Sequence, residues 1–235
     1  MKTIIIAGGL GVRLRPLTYT IPKPLLPLGE KPILEVILSN LSFFGIRDII
    51  LSIGYCGDLI RAYFRDGSKF GVHIEYVEEN EPLGTAGPLE LVREKFALRQ
   101  EEPLLLMNGD ILTKLNFPKM IDHHFNEANE LTIATRTHEM HPGFGVVKVN
   151  GNGVVQNITE KPTFSYEISA GIYVLQPSVI EIVPKGIRFD MPDLIGALIT
   201  NGKKVGAYHF NEYWQSLDQL SDLEDALPYI QKWLK

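Results

Sequence analysis

The amino-acid sequence predicts an α/β fold in which helices cover both faces of a mainly parallel, mixed β-sheet. First, strand patterns alternate with helical patterns through the first 130 residues, an order typical of parallel sheets. Second, the strand patterns are short apolar runs, as expected for strands buried on both faces. Third, polar or glycine-rich segments follow three strands, at residues 7–15, 78–87 and 108–111, and ligands of such sheets bind beyond the carboxyl ends of the strands.

The first half of the chain alternates strands with helices. Thr3 to Ala7 is a run rich in β-branched residues, which favours a buried strand. From Pro32 to Phe44 the apolar residues follow helical spacing, and Gly45 ends the helix. The remaining elements are expected to be strands at 48–53, 72–78 and 103–107, and helices at 58–64, 85–96 (with Thr85 as N-cap) and 118–128.

The second half contains more strands in a less regular order. Two short strands, 145–150 and 154–158, flank Gly151-Asn152-Gly153, which is typical of a β-hairpin turn. The other elements are expected to be strands at 131–136, 168–175 and 205–210, and helices at 178–183, 193–200 and 220–234. We expect one continuous sheet, a single domain over residues 1–235, and a small hairpin over the ligand cleft. This is a Rossmann-like three-layer sandwich.

Composition limits the classes of partner. With 23 basic and 28 acidic residues, the net charge of −5 gives no general attraction to nucleic acid or anionic membranes. Any phosphate site must therefore be local. No apolar run approaches the roughly 20 residues that span a bilayer, and the apolar start is too short for a secretory signal. Cys56 is the sole cysteine, so we expect a packing residue in a cytoplasmic protein without disulfides.

Residues 7–18 form the strongest functional pattern, Ala-Gly-Gly-Leu-Gly-Val-Arg-Leu-Arg-Pro-Leu-Thr. Glycines directly after a buried strand let backbone N–H groups approach phosphate oxygens, and Arg13 and Arg15 can donate charge-assisted hydrogen bonds to them. No Gly-Lys-Ser/Thr follows, which excludes a Walker loop. Leu14 stands at the third glycine position of the dinucleotide fingerprint. The alternative interpretation is a tight turn with solvated arginines.

A lysine between two prolines follows this loop, in Pro22-Lys23-Pro24-Leu-Leu-Pro. The prolines hold the backbone extended and limit its motion. The lysine can therefore be aimed at a ligand, although a surface lysine in a proline-rich loop is the commoner case.

Together these two segments closely resemble the sugar-1-phosphate nucleotidyltransferases, the nucleoside diphosphate-sugar pyrophosphorylases. The chain is most similar in length to the short guanylyl- and uridylyltransferases of cell-surface sugar synthesis, which have no C-terminal β-helix. The resemblance continues through five further motifs: Gly67-Ser-Lys-Phe-Gly71, Pro82-Leu-Gly-Thr-Ala-Gly87, Asn108-Gly109-Asp110, Glu160-Lys161-Pro162 and Ala170-Gly-Ile-Tyr173.

The resemblance implies transfer of a nucleoside monophosphate from a nucleoside triphosphate to a sugar 1-phosphate, with Mg²⁺ and release of pyrophosphate. GTP is the favoured triphosphate and UTP the next. The nucleotide-binding half would end near residue 130 and the sugar-phosphate-binding half would follow; a homodimer is left open. The resemblance assigns binding of the nucleotide to Gly8, Gly9, Gly11, Arg13, Lys23, Gly84 and Thr85. It assigns binding of the sugar phosphate to Gly145, Glu160, Lys161, Ser169 and Gly171. It assigns catalysis to Arg13, Lys23 and Asp110, and metal binding to Asp110.

One departure from the family pattern concerns the second metal ligand. The family usually has Trp-x-Asp-x-Gly near its end, whereas this chain has Trp214-Gln-Ser216-Leu-Asp218. A neutral hydroxyl at the aspartate position is a much weaker magnesium ligand. Three explanations are open: Asp218 reaches the metal after a local loop shift, Asp110 works alone, or the protein binds nucleotide sugars without making them. Ser169 and Phe144 also depart from the usual residues and could retune sugar choice.

The histidines give weaker patterns. His123 and His124 point about 100° apart on a helix, so one metal cannot readily take both, and we predict a solvated face. A zinc site at His138 and His141 lacks enough partners. Trp214, Tyr213 and Trp233 are interpreted as packing residues.

Overall fold

A computed structural model describes residues 1–233, with side chains described as far as Ile230. The strands are β1 (Thr3–Ile6), β2 (Pro27–Leu28), β3 (Lys31–Pro32), β4 (Asp48–Ile53), β5 (His73–Glu78), β6 (Leu104–Asn108), β7 (Ile111–Thr113), β8 (Leu131–Met140), β9 (Val146–Val149), β10 (Val155–Thr159), β11 (Phe164–Leu175), β12 (Val205–His209) and β13 (Trp214–Ser216). The helices are α1 (Ile33–Phe43), α2 (Gly57–Phe64), α3 (Pro88–Lys95), α4 (Phe117–Asn126), α5 (Met191–Thr200) and α6 (Leu220–Trp233).

Seven strands form the central sheet in the order β12-β8-β11-β6-β1-β4-β5. Within it β11 runs antiparallel to both of its neighbours, β6 and β8, whereas the other neighbouring pairs are parallel. The sheet therefore continues from the first half of the chain into the second, and the predicted mixed, mainly parallel α/β fold is confirmed.

Apolar residues fill both sides of this sheet because adjacent strand residues point to opposite faces. On β1, Ile5 packs into the core with α1, α2, α4 and α6, whereas Ile4 packs into the core with α3 and α5. Both side chains are fully buried. The continuous apolar run of β1 thus corresponds to a strand covered on both faces, the middle layer of a three-layer arrangement.

Several elements differ from the sequence-based expectations. The predicted helix from residue 85 begins at Pro88 with Gly87 as N-cap, so the assignment of Thr85 as N-cap is wrong. Its hydroxyl instead bonds Asp190 and Met191. The helix expected at 178–183 is a 3-10 helix from Pro177–Ile182. The short strands β2, β3, β7 and β13 had no counterpart in the sequence patterns. Residue 234, the expected end of the last helix, and the side chain of Trp233 lie outside the described part.

The solvated face predicted for the two adjacent histidines is wrong for His124, which is fully buried. Its Nδ1 lies 2.9 Å from Thr132 Oγ1, and its Nε2 lies 3.1 Å from Gln176 Nε2. The ring therefore joins α4 to β8 and the end of β11. Burial lowers the pKa of His124 to about 4, and the neighbouring His123 adds to this shift.

The predicted hairpin forms as a separate two-stranded sheet of β9 and β10, with both strands exposed along their whole length. It is continuous with the projecting ends of β8 and β11, whose residues 137–140 and 164–167 are also exposed. We call residues 137–167 the hairpin region. None of the helices described over residues 1–233 is long and apolar enough to cross a bilayer.

Candidate active site

A cleft of about 470 Å³ opens at the carboxyl ends of β1 and β6. It is lined mainly by the loop after β1, together with residues from four other segments of the chain. These are Ile6, Ala7, Gly9, Leu10, Gly11, Val12, Arg13, Leu14, Lys23, Pro24, Pro82, Thr85, Asn108, Gly109, Asp110 and Asp218. The cleft therefore lies where a sheet of this topology is expected to bind a ligand.

The three glycines of the first loop differ in how much space surrounds them. Gly11 adopts a left-handed φ of 59°, and a side chain there would lie 2.9 Å from Thr18 Cγ2. The Thr18 hydroxyl in turn donates to Gly11 O at 2.8 Å. A side chain at Gly8 would meet Glu79 at 2.5 Å, whereas one at Gly9 would meet nothing within 4 Å. Packing thus requires Gly8 and Gly11, and Gly9 leaves open space beside the cleft.

Lys23 lies at the start of a short 3-10 turn between its two prolines. Its side chain is only 13% exposed, and its ammonium group contacts two carboxylates. Nζ lies 2.5 Å from Asp110 Oδ2 and 3.3 Å from Asp218 Oδ1. The proline-bounded lysine is therefore directed into the cleft, and the surface-loop alternative is wrong.

Asp110 is held where β6 leaves the central sheet. Gly109 N donates to Ile6 O at 2.8 Å, and a side chain at Gly109 would lie 2.7 Å from that oxygen. Leu217 N donates to Asp110 O at 3.0 Å. This bond continues the pairing of β7 with β13, in which Ser216 lies opposite Ile111. The pairing brings the segment after β13 against Asp110.

Asp218 is the second carboxylate at the lysine. Its Oδ1 also accepts a hydrogen bond from Arg13 Nη2 at 2.7 Å, and its Oδ2 accepts one from Ser216 Oγ at 2.8 Å. Burial by itself would raise the pKa of Asp218, but the hydrogen bond from Ser216 and the charges of Lys23 and Arg13 outweigh it. The net result is a pKa below the usual range of an aspartate. The carboxylate is therefore ionised and directed at the same point as Asp110.

The backbone beneath Asp218 is fixed by an aspartate that the sequence analysis missed. Asp222 Oδ2 accepts from the N–H groups of Asp218 and Gln219, both at 2.7 Å. An acidic residue in the first turn of a helix, as Asp222 is in α6, is a recognisable pattern. Its contact with the two preceding amides could have been inferred from that pattern.

The donor set suits a magnesium ion. Magnesium is usually bound through one or two carboxylates, with water and phosphate oxygens at its other positions. Asp110 and Asp218 provide two carboxylates around a single cation, the Lys23 ammonium. Among the described residues no group of three or more His, Cys, Asp or Glu could hold a metal. The two carboxylates match the number that magnesium takes from a protein when water and phosphate oxygens complete its shell.

The predicted sugar-phosphate residues form two separate groups. Gly171 has a left-handed φ of 71° and lies at an irregularity of β11, where a side chain would approach Asn108 Nδ2 to 2.8 Å. Ser169 Oγ lies 3.0 Å from Tyr173 Oη at the same irregularity. This first group is thus next to the Asn-Gly-Asp turn of the cleft.

The second group lies at the base of the hairpin. A side chain at Gly145 would lie 2.9 Å from Glu160 Oε2, so these two residues are adjacent. Lys161 has a left-handed φ of 45° and is exposed. None of these three lines the cleft. Their predicted role therefore stays a prediction.

The predicted residues Gly84 and Thr85 lie in the loop after β5, which forms one wall of the cleft. Thr85 and Pro82 line the cleft. Beneath them is Glu79, which the sequence analysis missed: its carboxylate accepts from Ser52 Oγ at 2.7 Å and Leu83 N at 3.1 Å. Burial raises the pKa of Glu79, although these hydrogen bonds act against that shift. Glu79 thus joins the strand ends to this wall.

Comparison with known proteins gives consistent matches over the whole fold. The profile of the nucleotidyl transferase family matches residues 2–232. A UTP–glucose-1-phosphate uridylyltransferase from Synechocystis is 33% identical, with 97% of this chain and 62% of the relative covered. A probable mannose-1-phosphate guanylyltransferase from Oryza sativa is 34% identical, with 94% and 62% covered. The chain thus spans about three fifths of the length of these curated relatives.

A solved structure is similar over nearly the full length of both chains. HddC from Yersinia pseudotuberculosis, complexed with GMP-PN, is 25% identical, with a TM-score of 0.74 and coverage of 97% of this chain and 98% of that chain. The family profile, the relatives and the shared fold agree with the resemblance drawn from the sequence motifs. The chain belongs to the nucleotidyl transferase family, among the sugar-1-phosphate nucleotidyltransferases.

Proposed function

We propose that this protein transfers a nucleoside monophosphate from a nucleoside triphosphate to a sugar 1-phosphate and releases pyrophosphate. One observation carries the proposal: Lys23 lies between the carboxylates of Asp110 and Asp218, beside a glycine-rich loop that bears Arg13. This arrangement combines cations for phosphate oxygens with carboxylates for a metal ion. Family membership supports the same reaction class.

The chemical task is to bring two anions together. A phosphate oxygen of the sugar 1-phosphate attacks the α-phosphorus in line, so like-charge repulsion and alignment are the main obstacles. Arg13 would bind the β- and γ-phosphates and Lys23 the α-phosphate, which neutralises charge where it develops. Magnesium bound by Asp110 and Asp218 would supply further neutralisation of the phosphates. No covalent intermediate on the protein is required.

The two halves of the chain would divide the substrates. Residues up to about 130 would bind the nucleotide through Gly8, Gly9 and Gly11 and through the wall with Gly84 and Thr85. The remaining residues would bind the sugar phosphate. In that half, Lys161 would hold the phosphate, Glu160 would bind the sugar, and Gly145, Ser169 and Gly171 would line its pocket.

GTP is the proposed triphosphate, with UTP as the second choice. Several of the relatives are named mannose-1-phosphate guanylyltransferases, and the solved relative HddC was obtained with GMP-PN. The Synechocystis relative, named a uridylyltransferase, supports UTP as the alternative.

A second candidate function follows from Ser216. If a hydroxyl at the usual aspartate position prevents metal binding, the protein would bind nucleotide sugars as a regulatory or catalytically impaired member of the family. The contact between Asp218 and Lys23 argues against this candidate, because a carboxylate reaches the site from two residues further along the chain.

The test is a matrix of four nucleoside triphosphates against common sugar 1-phosphates, with Mg²⁺ and a pyrophosphate-release assay. We expect release with one or a few pairs, GTP or UTP among them. No turnover anywhere in the matrix, together with calorimetric binding of a nucleotide sugar, would establish the second candidate. In that case Ser216→Asp should restore turnover.

A further inference from the structure

Residues 83–87, part of the wall assigned above to the nucleoside, are docked on a segment from the far half of the chain. Phe189 N donates to Leu83 O at 2.8 Å, and Phe189 O accepts from Ala86 N and Gly87 N at 2.9 and 2.8 Å. Three backbone hydrogen bonds therefore connect the 83–87 loop to residues directly before α5. A loop that is anchored at both ends in this way has little freedom to move alone.

The Asp190 side chain supplies the central contact. Its Oδ1 accepts from Thr85 N at 3.0 Å and from Thr85 Oγ1 at 3.3 Å. Its Oδ2 lies 3.3 Å from both Nε and Nη2 of Arg188. Hydrogen bonds to an ionised acceptor are stronger than neutral ones. The carboxylate thus fixes the loop at the residue that lines the cleft.

The close approach of the two segments explains the glycine at position 84. Gly84 has a left-handed φ of 83°, and a side chain there would lie 2.6 Å from Asp190 Oδ1 and 2.8 Å from Phe189 O. Any residue larger than glycine would push the loop away from Asp190. Gly84 is therefore required by the docking itself, independently of any ligand.

The Thr85 hydroxyl is also occupied within the protein. It donates to Asp190 Oδ1 and accepts from Met191 N at 2.8 Å. Since a hydroxyl has one proton, Thr85 Oγ1 has none left to donate to a ribose or base. Its structural task is to attach the loop to the first residue of α5.

We propose that Asp190 is a positioning residue that holds the 83–87 loop in the conformation that receives the nucleoside. The inference rests on the proposed function, in which Gly84 and Thr85 lie against base and ribose. Asp190 does not touch the substrate; it acts through the loop. Because Asp190 is also the N-cap of α5, the nucleoside wall of the first half is attached to a helix of the second half.

The experiment measures nucleotide affinity by calorimetry, with GTP and GMP as one pair of probes and UTP and UMP as the other. Asp190→Ala removes the acceptor of the two hydrogen bonds from Thr85, and we expect affinity for the triphosphate and the monophosphate to fall by the same factor, about tenfold. The factor is shared because the loop contacts the nucleoside, which both probes contain. Asp190→Asn keeps an Oδ1 acceptor and should restore affinity to within about threefold of wild type.

The matched control is Asp193→Ala. Asp193 Oδ2 accepts from Asp190 N at 3.0 Å in the same capping box, so its loss weakens the start of α5 without touching the loop. We expect a lower Tm and unchanged nucleotide affinity. A purely structural role for Asp190 would make the two alanine variants behave alike.

Three results would overturn the proposal. They are wild-type affinity in Asp190→Ala, a loss confined to the triphosphate, and failure of Asp190→Asn to restore binding. If Asp190→Ala does not fold, Thr85→Val serves instead, because it removes the bridging hydroxyl alone. That variant should weaken both probes about threefold, and unchanged binding would reject the inference. Wild-type protein that binds none of the four nucleotides would refute the proposed choice of base, GTP or UTP, on which this inference rests, and the Asp190 variants would then play no part in that failure.

Discussion

The cleft at Lys23 and the hairpin region differ in how their charged residues are buried and paired. In the cleft, Lys23, Asp110 and Asp218 are partly buried, and the lysine ammonium contacts both carboxylates. In the hairpin region, Glu160 and Lys161 are exposed, as are β9 and β10 on both sides. The difference teaches that the charged groups of the cleft hold one another in place through ion pairs, whereas the exposed residues of the hairpin region depend mainly on solvent.

The physical reason lies in what covers each region. The cleft residues follow β1 and β6, whose apolar side chains are buried on both faces of the central sheet. The hairpin has only two strands, and pairs such as Val147 with Ile158 remain exposed. An isolated two-stranded hairpin is marginally stable in water. We therefore expect bound sugar phosphate to order this region.

The largest expected effect is at Asp110. We expect Asp110→Ala to lower kcat about a thousandfold or more, because it removes a metal carboxylate and leaves Lys23 with one partner fewer. The pyrophosphate-release assay measures this change. Asp122→Ala, an exposed aspartate on α4, is the control and should keep wild-type activity. Substantial turnover in Asp110→Ala would show that the cleft takes no part in the reaction.

Asp218→Ala should be the next most damaging change. We expect about a 200-fold loss of kcat, since Asp218 contacts the same ammonium as Asp110 and would supply the second carboxylate to the ion. Ser216→Ala removes only the hydrogen bond that orients Asp218 and should cost less than about tenfold.

Asp218→Ala together with Ser216→Asp separates the three explanations for Ser216. A near-normal rate in Asp218→Ala would mean that Asp110 works alone. An inactive wild type that gains turnover from Ser216→Asp would identify a binding protein. An active wild type that depends on Asp218 would mean that the carboxylate has moved two residues along the chain.

The cleft was the part of the site most open to prediction from sequence. Asp110 follows a buried strand, and parallel strands end at one edge of their sheet, so its position near the glycine loop could be inferred. The prolines around Lys23 indicated a fixed side chain. The central sheet was also predictable, because continuous apolar runs such as Thr3 to Ala7 allow few other structures.

Other contacts depended on tertiary pairing that leaves no periodic pattern. The approach of Asp218 relies on the three-residue strands β7 and β13, which are too short to show alternation. The N-cap prediction for Thr85 failed because Asp190, 105 residues away, takes its hydroxyl. His124 was placed on a solvated face because the polar sequence around it does not reveal that Thr132 and Gln176 cover the ring.

The buried His124, which joins α4 to β8, predicts a loss of stability in acid. Its folded pKa of about 4 lies below the ordinary value near 6.5. The unfolded chain therefore binds more protons between these values, and stability falls as the pH falls through this window. We expect a contribution of about 2 kcal/mol to be lost between pH 7 and pH 5. Denaturant unfolding at both pH values measures it.

The comparison uses two histidine variants. His124→Gln should abolish this part of the pH dependence, because it removes the titrating ring. His209→Gln should not abolish it, since His209 is exposed and its pKa is raised by the hydrogen bonds that the ring donates to Glu167 and Asn211. An unchanged slope in His124→Gln would show that other groups control acid stability at this junction.

A small effect, confined to one substrate, is expected in the hairpin region. Lys161→Ala should raise the KM for sugar 1-phosphate about tenfold, the effect of losing one solvated phosphate contact, with an unchanged KM for the triphosphate. Among the described residues, the exposed Lys161 has no carboxylate partner of the kind that holds Lys23, so ordering its side chain offsets part of the binding energy. Lys148→Ala, on β9 of the same hairpin, is the matched control and should alter neither KM. An equal rise in both KM values would show that Lys161 also affects the cleft at Lys23. The contrast between the cleft and the hairpin region would then fail.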